Sequence, residues 1–231
     1  LAGRPGAGMV AVYGGLGRAD RPEVVARAPG ARWEHVRVPG LGQAFGSPVA
    51  IADTASGFVL VAEAKDAIRA WRSPDGREWT NFEPLPDSMV DRRREYAPTS
   101  TIYDAERDIL LVLASPARVW RSVAGGPFES VGPLAARVEH DGSRLVGVAL
   151  ADGFLVATSS DEEGVHLQTS PDGVTWTRAD QDPDYMRAFW MVTHGDRVLV
   201  GSESGGPILG GPATIMAYLL EHEVVSGESE A

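Results

Sequence analysis

The chain has 231 residues, 43% of them hydrophobic and 23% charged, with a formal net charge of -11. A chain of this length can bury a sizeable core, and its acidic surface argues against nucleic acid or anionic membranes as general partners. The absence of cysteine excludes disulfides, thiolate metal sites and a cysteine nucleophile, and no apolar stretch approaches the roughly 18 residues that span a bilayer.

Five short apolar runs recur along the chain, at residues 8–15, 57–64, 108–115, 153–160 and 197–204. Each is too short for a helix and is rich in β-branched or bulky residues, which predicts strands. Because the runs do not alternate with polar residues, we expect both faces of each strand to be buried.

A second apolar segment precedes most of these runs, at residues 48–53, 100–104, 144–150 and 189–193. These segments predict an additional strand in each unit, on the inner side of the first. The first unit shows no obvious inner strand. Near the end of the chain, the segment 213–220 suits either a strand or a short helix.

A seven-residue turn occurs twice, as SPDGREW at 73–79 and SPDGVTW at 170–176, with worn copies within 23–41 and 117–135. The aromatic residues that mark the four copies are spaced 46, 49 and 48 residues apart, and they are Trp33, Trp79, Phe128 and Trp176. Four strands in about 48 residues are typical of a β-propeller. We therefore predict an all-β fold with about five four-stranded antiparallel blades.

The predicted organisation is a single propeller domain over residues 1–220, followed by a polar, acidic tail at 221–231. The predicted blades cover, approximately, residues 8–41, 48–86, 99–135, 144–183 and 189–220. The two ends of the repeat do not interlock neatly, so closure of the ring could involve residues before Leu1 or a distorted last blade.

The composition of the repeated turn explains its recurrence. Proline fixes φ for a tight turn, glycine permits a positive φ, and the Asp and Ser side chains can accept hydrogen bonds from the turn's own N–H groups. Burial of each tryptophan between blades is worth roughly 2–3 kcal/mol. We assign a structural role to Ser73, Asp75, Gly76, Trp79, Ser170, Asp172, Gly173 and Trp176.

The two turns resemble Asp-box (BNR) repeats, whose pattern is Ser/Thr-x-Asp-x-Gly-x-Thr-Trp, in a form that is one residue shorter. The resemblance implies a β-propeller of the sialidase-like superfamily. Asp-box propellers include sialidases, sortilin-type receptors, polysaccharide-active enzymes and a photosystem assembly factor. The motif therefore predicts the fold far better than the activity.

Candidate ligand-binding residues lie in the predicted loops that join one blade to the next. In a propeller, ligands usually meet the face where the inner strands begin, and the SPDG turns lie on the opposite side. The loops 86–98, 134–143 and 179–190 supply the candidates, which are Arg92, Arg93, Arg94, Tyr96, Arg137, His140, Tyr185, Arg187 and Trp190. Clustered arginine with tyrosine and tryptophan suits an anionic ligand, a glycan or a protein hot spot.

The leading hypothesis is a non-catalytic binding or interaction module with no cofactor and no metal. We expect it to be exported, or lipid-anchored through a leader that precedes Leu1. The five histidines show neither HxH nor HExxH spacing. Alternatively, the chain is one domain of a longer protein whose activity lies elsewhere.

The alternative enzymatic hypothesis is a minimal or degenerate glycoside hydrolase of sialidase type. That chemistry needs three arginines around a carboxylate and a Tyr–Glu pair, and Arg94, Arg137 and Arg187 lie in successive loops. Tyr96 or Tyr185 could pair with Glu139. The Arg-Ile-Pro motif of sialidases is absent, however, and those enzymes have six blades.

Five-bladed glycosidases of furanosides and arabinans are similar in blade number, but they use two Asp and one Glu near the axis. Asp53 and Asp104 follow the inner strands at their far ends, which argues against that role.

Overall fold

The computed structural model describes thirteen stretches of the chain: residues 2–4, 8–13, 22–41, 50–64, 67–89, 98–114, 118–131, 134, 144–160, 164–178, 188–194, 197–203 and 215–221. No α-helix occurs within these stretches. The described part of the chain accordingly offers no helix long and apolar enough to cross a bilayer.

The described residues form nineteen strands, whose bounds are β1 (Ala2–Arg4), β2 (Gly8–Tyr13), β3 (Glu23–Arg27), β4 (Glu34–Val36), β5 (Ala50–Thr54), β6 (Gly57–Ala64), β7 (Ala67–Ser73), β8 (Thr80–Met89), β9 (Pro98–Asp104), β10 (Ile109–Ala114), β11 (Arg118–Val123), β12 (Glu129–Val131), β13 (Arg144–Leu150), β14 (Gly153–Ser160), β15 (Gly164–Ser170), β16 (Thr177–Arg178), β17 (Ala188–His194), β18 (Arg197–Glu203) and β19 (Ile215–Glu221). All five predicted apolar runs form strands, namely β2, β6, β10, β14 and β18. The four predicted inner segments form β5, β9, β13 and β17.

The strands assemble into five sheets in which each strand pairs antiparallel with the next along the chain. Sheet 1 contains β1–β4, sheet 2 β5–β8, sheet 3 β9–β12, sheet 4 β13–β16 and sheet 5 β17–β19. The first strands of successive sheets contact one another in chain order. Sheets arranged in this way are the blades of a β-propeller, so the predicted fold class is confirmed.

Each gap between successive sheets contains its own apolar core, and the second strands of sheets 2 and 3 contribute to a core on both of their faces. On β6, Phe58 and Leu60 pack toward sheet 1, whereas Val59 and Val61 pack toward sheet 3. Along β10 all six residues are buried, and they alternate in the same way between sheets 2 and 4. The predicted burial on both faces is confirmed for β6 and β10. It is wrong for β2, where Met9 and Ala11 are half-buried and Tyr13 is exposed on one face of the strand.

Two uncertainties in the sequence pattern are resolved by the strand order. The inner strand that the first unit lacked is β1, a three-residue strand that pairs with β2 through Ala2, Gly3 and Arg4. The ambiguous segment near the end of the chain forms a strand, β19, which pairs with β18 along its whole length. Sheet 5 has three strands within the described residues.

Candidate functional site

The predicted ligand-binding residues fall almost entirely outside the described part of the chain. The candidates that lie outside the described residues are Arg92, Arg93, Arg94, Tyr96, Arg137, His140, Tyr185 and Arg187. Trp190 lies within β17, the first strand of sheet 5, where its backbone pairs with Gly201 beside a register shift. The assignment of these nine residues to a ligand site stays a prediction.

The strands that flank those segments show where the segments attach. The three run from β8 to β9, from β12 to β13 and from β16 to β17, so each joins the last strand of a sheet to the first strand of the next. The SPDG turns instead join the third and fourth strands, at the opposite end of the strands. The repeated motif therefore lies at the opposite end of the sheets from the strand ends to which those segments attach.

The first SPDG turn, residues 73–79, satisfies its own backbone. The hydroxyl of Ser73 accepts a hydrogen bond from the Gly76 N–H at 2.8 Å. One carboxylate oxygen of Asp75 accepts from the Arg77 N–H at 2.8 Å and the Glu78 N–H at 3.1 Å. Gly76 adopts φ of +79°, a left-handed conformation that favours glycine.

The second SPDG turn, residues 170–176, repeats these contacts. Ser170 accepts from the Gly173 N–H at 2.8 Å, and Asp172 accepts from Val174 at 2.8 Å and Thr175 at 3.0 Å. Gly173 has φ of +77°. The predicted turn chemistry is confirmed in both copies.

Hydrogen bonding lowers the pKa of both turn carboxylates. For Asp75 the main cause is the bond from the Arg77 N–H, and for Asp172 it is the bond from the Thr175 N–H. These donors stabilise the ionised form and occupy the oxygen they bind. A carboxyl held ionised in this way is a poor proton donor near neutral pH, so neither aspartate is suited to general acid catalysis.

Each SPDG turn also contacts the preceding sheet through its glycine. A Cβ at Gly76 would overlap a methyl group of Val10 on β2, and one at Gly173 would lie 2.8 Å from a methyl carbon of Leu111 on β10. The tryptophans that end the turns, Trp79 and Trp176, are each 7% exposed. They lie in the cores that their sheets share with the preceding sheet, so their predicted burial between blades is confirmed.

The worn copy in sheet 3 adds a side chain from sheet 2 to hydrogen bonds of its own. Within this turn, the Ser122 hydroxyl donates to the Gly126 carbonyl at 2.7 Å, and the Gly126 N–H donates to the Val123 carbonyl at 2.8 Å. Arg72 donates to the hydroxyl of Ser122 at 3.1 Å and to the carbonyl of Gly126 at 2.8 Å. Its guanidinium carbon lies 5.5 Å from the centre of the Phe128 ring. Phe128 is 6% exposed, so the aromatic position is filled as in the SPDG turns. Burial lowers the pKa of Arg72.

A second contact between sheets was missed by the sequence analysis. Trp71 on β7 donates its indole N–H to the carbonyl of Pro39 at 2.7 Å, and Trp120 on β11 donates to that of Pro86 at 2.7 Å. In both cases the third strand of one sheet is tied to the chain at the end of the preceding sheet's fourth strand. The signal was present as Trp-Arg-Ser at 71–73 and 120–122, each about 33 residues after a proline.

A buried carboxylate at the end of the inner strand β9 is paired with a nearby arginine. Asp104, 4% exposed at the end of β9, pairs with Arg107 at 2.6 Å and accepts from two backbone N–H groups. Arg107 also donates to the Ala151 carbonyl of sheet 4 at 2.7 Å. The described residues contain no cluster of three or more His, Asp or Glu side chains that could hold a metal ion.

Comparison with known proteins supports the propeller fold and gives no information on activity. Neither a protein-family model nor a curated protein matches the chain. Streptogramin B lyase aligns over 95% of this chain and 71% of its own, with a TM-score of 0.58 and 11% identity. That structure is a β-propeller, and at this identity the likeness extends to the fold alone.

Two further solved structures align less well. An endo-arabinase from Bacteroides thetaiotaomicron covers 96% of this chain and 91% of its own, with a TM-score of 0.49 and 10% identity. The polysaccharide lyase Uly1 covers 92% of this chain and 55% of its own, with a TM-score of 0.49 and 12% identity.

Proposed function

We propose that the protein is a non-catalytic binding module whose ligand site is formed by the segments that join successive sheets. The observation that carries this proposal is that the serine and aspartate side chains of both repeated turns bind N–H groups of the turns themselves. Asp75 and Asp172, the most recognisable acidic residues of the repeat, bind the N–H groups that follow them. The repeated motif is scaffold, which leaves ligand recognition to the opposite end of the sheets.

The same hydrogen bonds support the resemblance of the turns to Asp-box repeats. In both turns serine and aspartate accept hydrogen bonds from the turn, glycine adopts a positive φ and tryptophan is buried between sheets. Propellers built on such turns serve receptors as well as enzymes, so the motif is compatible with a binding role.

The ligand class that best suits the candidate residues is an anionic glycan. Arg94, Arg137 and Arg187 supply guanidinium groups that can bind a carboxylate in a bidentate manner. Tyr185 and Trp190 supply aromatic surface for a sugar ring. Export from the cell, expected from the sequence, stays a prediction.

A binding titration with sialyllactose, with neutral lactose as the matched sugar, tests this proposal. We expect sialyllactose to bind more tightly, and the variants Arg137→Ala and Arg187→Ala to weaken its binding about tenfold each, because each removes a charged hydrogen-bond donor. Arg77→Ala, in the SPDG turn at the other end of the sheets, is the control and should bind as the wild type does. Equal binding of both sugars, or no binding of either, would contradict the glycan assignment.

An enzymatic assay separates the binding module from the sialidase-type alternative. The wild type and Arg187→Ala are incubated with chromogenic sialosides and other chromogenic glycosides. We expect no turnover above that of buffer. Turnover by the wild type that Arg187→Ala abolishes would refute the non-catalytic assignment in favour of a glycoside hydrolase.

A further inference from the structure

The outermost strands of sheets 1 to 4 carry features that oppose pairing with a strand of another chain. A free strand edge presents unpaired N–H and C=O groups, and short strands, prolines and irregular register prevent their use as a template. β4 and β12 have three residues each, and β16 has two. β8 is longer, but it contains Pro84 and Pro86, and its register with β7 shifts twice. These four edges are therefore guarded.

The outermost strand of sheet 5, β19, has none of these features. Its seven residues, IMAYLLE, pair with β18 in an uninterrupted register. The strand contains no proline, lysine or arginine, and its one charged residue, Glu221, lies at its end. Among the strands that the structure describes, β18 is the only partner of β19. Sheet 5 thus ends in a long, regular and hydrophobic edge.

The backbone of β19 determines what such an edge can bind. In an antiparallel sheet, successive residues direct their N–H and C=O groups alternately toward the two sides of the strand. About half of the residues of β19 therefore bond to β18, and the others direct these groups to the free edge. A second extended strand would pair with all of the groups on that side.

We propose that this edge pairs with the same edge of a second copy, so that two three-stranded sheets join into one continuous sheet about a two-fold axis. An axis through Tyr218 sets the two strands antiparallel and places Glu221 opposite Ile215 of the second copy. The two carboxylates then lie at opposite ends of the paired strands, where they do not repel each other. Every residue of β19 before Glu221 is hydrophobic in type, so the strand matches its own edge.

The proposed dimer edge is separate from the proposed ligand site. The candidate loop 179–190 leads into β17, and β17 and β19 form the two opposite edges of sheet 5. Failure of the glycan proposal would leave the dimer unaffected, and the converse also holds.

Sedimentation velocity of the purified protein, from about 5 to 500 µM, is the first test. We expect a monomer–dimer equilibrium with a dissociation constant on the order of 100 µM, because one strand edge buries less surface than a stable interface. Raising the sodium chloride concentration from about 0.1 to 0.5 M should tighten the dimer about threefold, because salt screens the repulsion between two copies. Each copy has a net charge of -11.

Hydrogen exchange of the β19 amides locates the interface. The alternate amides that bond to β18 should exchange slowly at every concentration. The amides between them should exchange about threefold more slowly at 500 µM than at 5 µM, because only the dimer protects them. A dimer formed through any other surface would not produce this alternation.

Two variants distinguish the edge from general charge repulsion. Leu219→Glu and Val192→Glu add the same charge on the same face of sheet 5, since both positions pair with Leu199. Leu219→Glu adds like charges close to the two-fold axis, and we expect it to weaken the dimer about fivefold. Val192, on the opposite edge strand and 46% exposed, is the control and should change the dissociation constant by less than about twofold. Thermal melting verifies that both variants are folded.

Four results would overturn the proposal: a monomer at every concentration, a dimer that salt weakens, no alternation in the exchange of the β19 amides, or equal weakening by the two variants. Since the first three are measured on the unmodified protein, misfolding of a variant does not prevent the test.

Discussion

The SPDG turn of sheet 2 and the worn turn of sheet 3 reach the same packing by different chemistry. In residues 73–79, Ser73 and Asp75 bind the turn's own N–H groups. In residues 122–128 no aspartate is present, Ala124 and Gly125 adopt positive φ values of 49° and 68°, and Arg72 from the neighbouring sheet bonds the turn. Yet Trp79 and Phe128 are buried to nearly the same extent, 7% and 6% exposed.

This difference teaches that in sheets 2, 3 and 4 an aromatic residue is buried against the preceding sheet, whichever hydrogen bonds shape the turn. Bonds within the turn can be supplemented from the adjacent sheet, because the Gly126 carbonyl accepts from both Ser122 and Arg72. Trp33 in sheet 1 completes the contrast, since it occupies the equivalent sequence position and is 41% exposed. It contacts Arg27, whose guanidinium carbon lies 5.1 Å from the ring centre.

The largest expected effect comes from removing the buried aromatic. Trp79→Ala should lower the free energy of unfolding by about 3–5 kcal/mol, because it leaves a cavity in the core between sheets 1 and 2. Trp33→Ala should cost about 1 kcal/mol or less, because much of that ring is already in water. Chemical denaturation of both variants measures the difference. Equal losses would show that exposure does not govern the contribution of this position.

The next effect concerns the approach of the turn glycine to the preceding sheet. Gly173→Ala should destabilise by about 2–4 kcal/mol, because the new methyl group must displace Leu111 and the residue keeps a positive φ. Gly30→Ala is the matched control, with φ of +73° and no atom within 4 Å of its Cβ position.

Gly30→Ala should therefore report the conformational strain alone, about 1–2 kcal/mol. A thermal melt of the two variants separates strain from packing. If Gly173→Ala costs no more than Gly30→Ala, sheets 3 and 4 are not in close contact at this turn.

Loss of the bond between sheets 2 and 3 should have a smaller effect. Arg72→Met keeps much of the packed stem and removes the donors to Ser122 and Gly126, so we expect a loss of about 1–2 kcal/mol. Arg77→Met removes an exposed pair with Glu34, 3.2 Å apart, and should change stability by less than about 0.5 kcal/mol. Urea denaturation at one pH compares the two. A larger loss of stability for Arg77→Met than for Arg72→Met would contradict the view that the Arg72 hydrogen bonds stabilise the contact between sheets 2 and 3.

The smallest effect is a pH dependence. Because the folded protein holds the pKa of Asp172 below the ordinary value of 3.8, its ionised form stabilises the fold above that value. That stability is lost as the pH falls below about 3.8 and through the lower folded pKa. Asp172→Asn should flatten the decline of stability in this acidic range. An unchanged slope in denaturation series would show that the carboxylate does not stabilise the turn.

Local patterning was enough to predict most of the fold. The runs that form β6 and β10 are continuous, apolar and of strand length, and these properties predict buried strands. By contrast, β1 has only Ala2, Gly3 and Arg4, which carry no apolar signal, and it is defined by its pairing with β2. The apolar residues of β19 suit either a strand or a short helix. Only the pairing with β18 shows that the segment is a strand.

Contacts between distant residues were beyond the sequence pattern. Arg72 and its acceptor Gly126 are separated by 54 positions, and nothing near either residue identifies the other. Trp71 and its acceptor Pro39 are likewise 32 positions apart, and their contact depends on how sheets 1 and 2 pack together. The turn residues were predicted correctly because their bonds are local, within three positions along the chain.

The packing of each SPDG turn against the preceding sheet is the central claim, and a nuclear Overhauser effect between Gly173 Hα and the Leu111 methyl groups tests it most directly. These residues are 62 positions apart, and the Cβ position of Gly173 lies 2.8 Å from Leu111 Cδ2. We predict a strong cross-peak there, and a corresponding one between Gly76 and Val10. Absence of both cross-peaks, in spectra that show the antiparallel contacts within each sheet, would contradict the account.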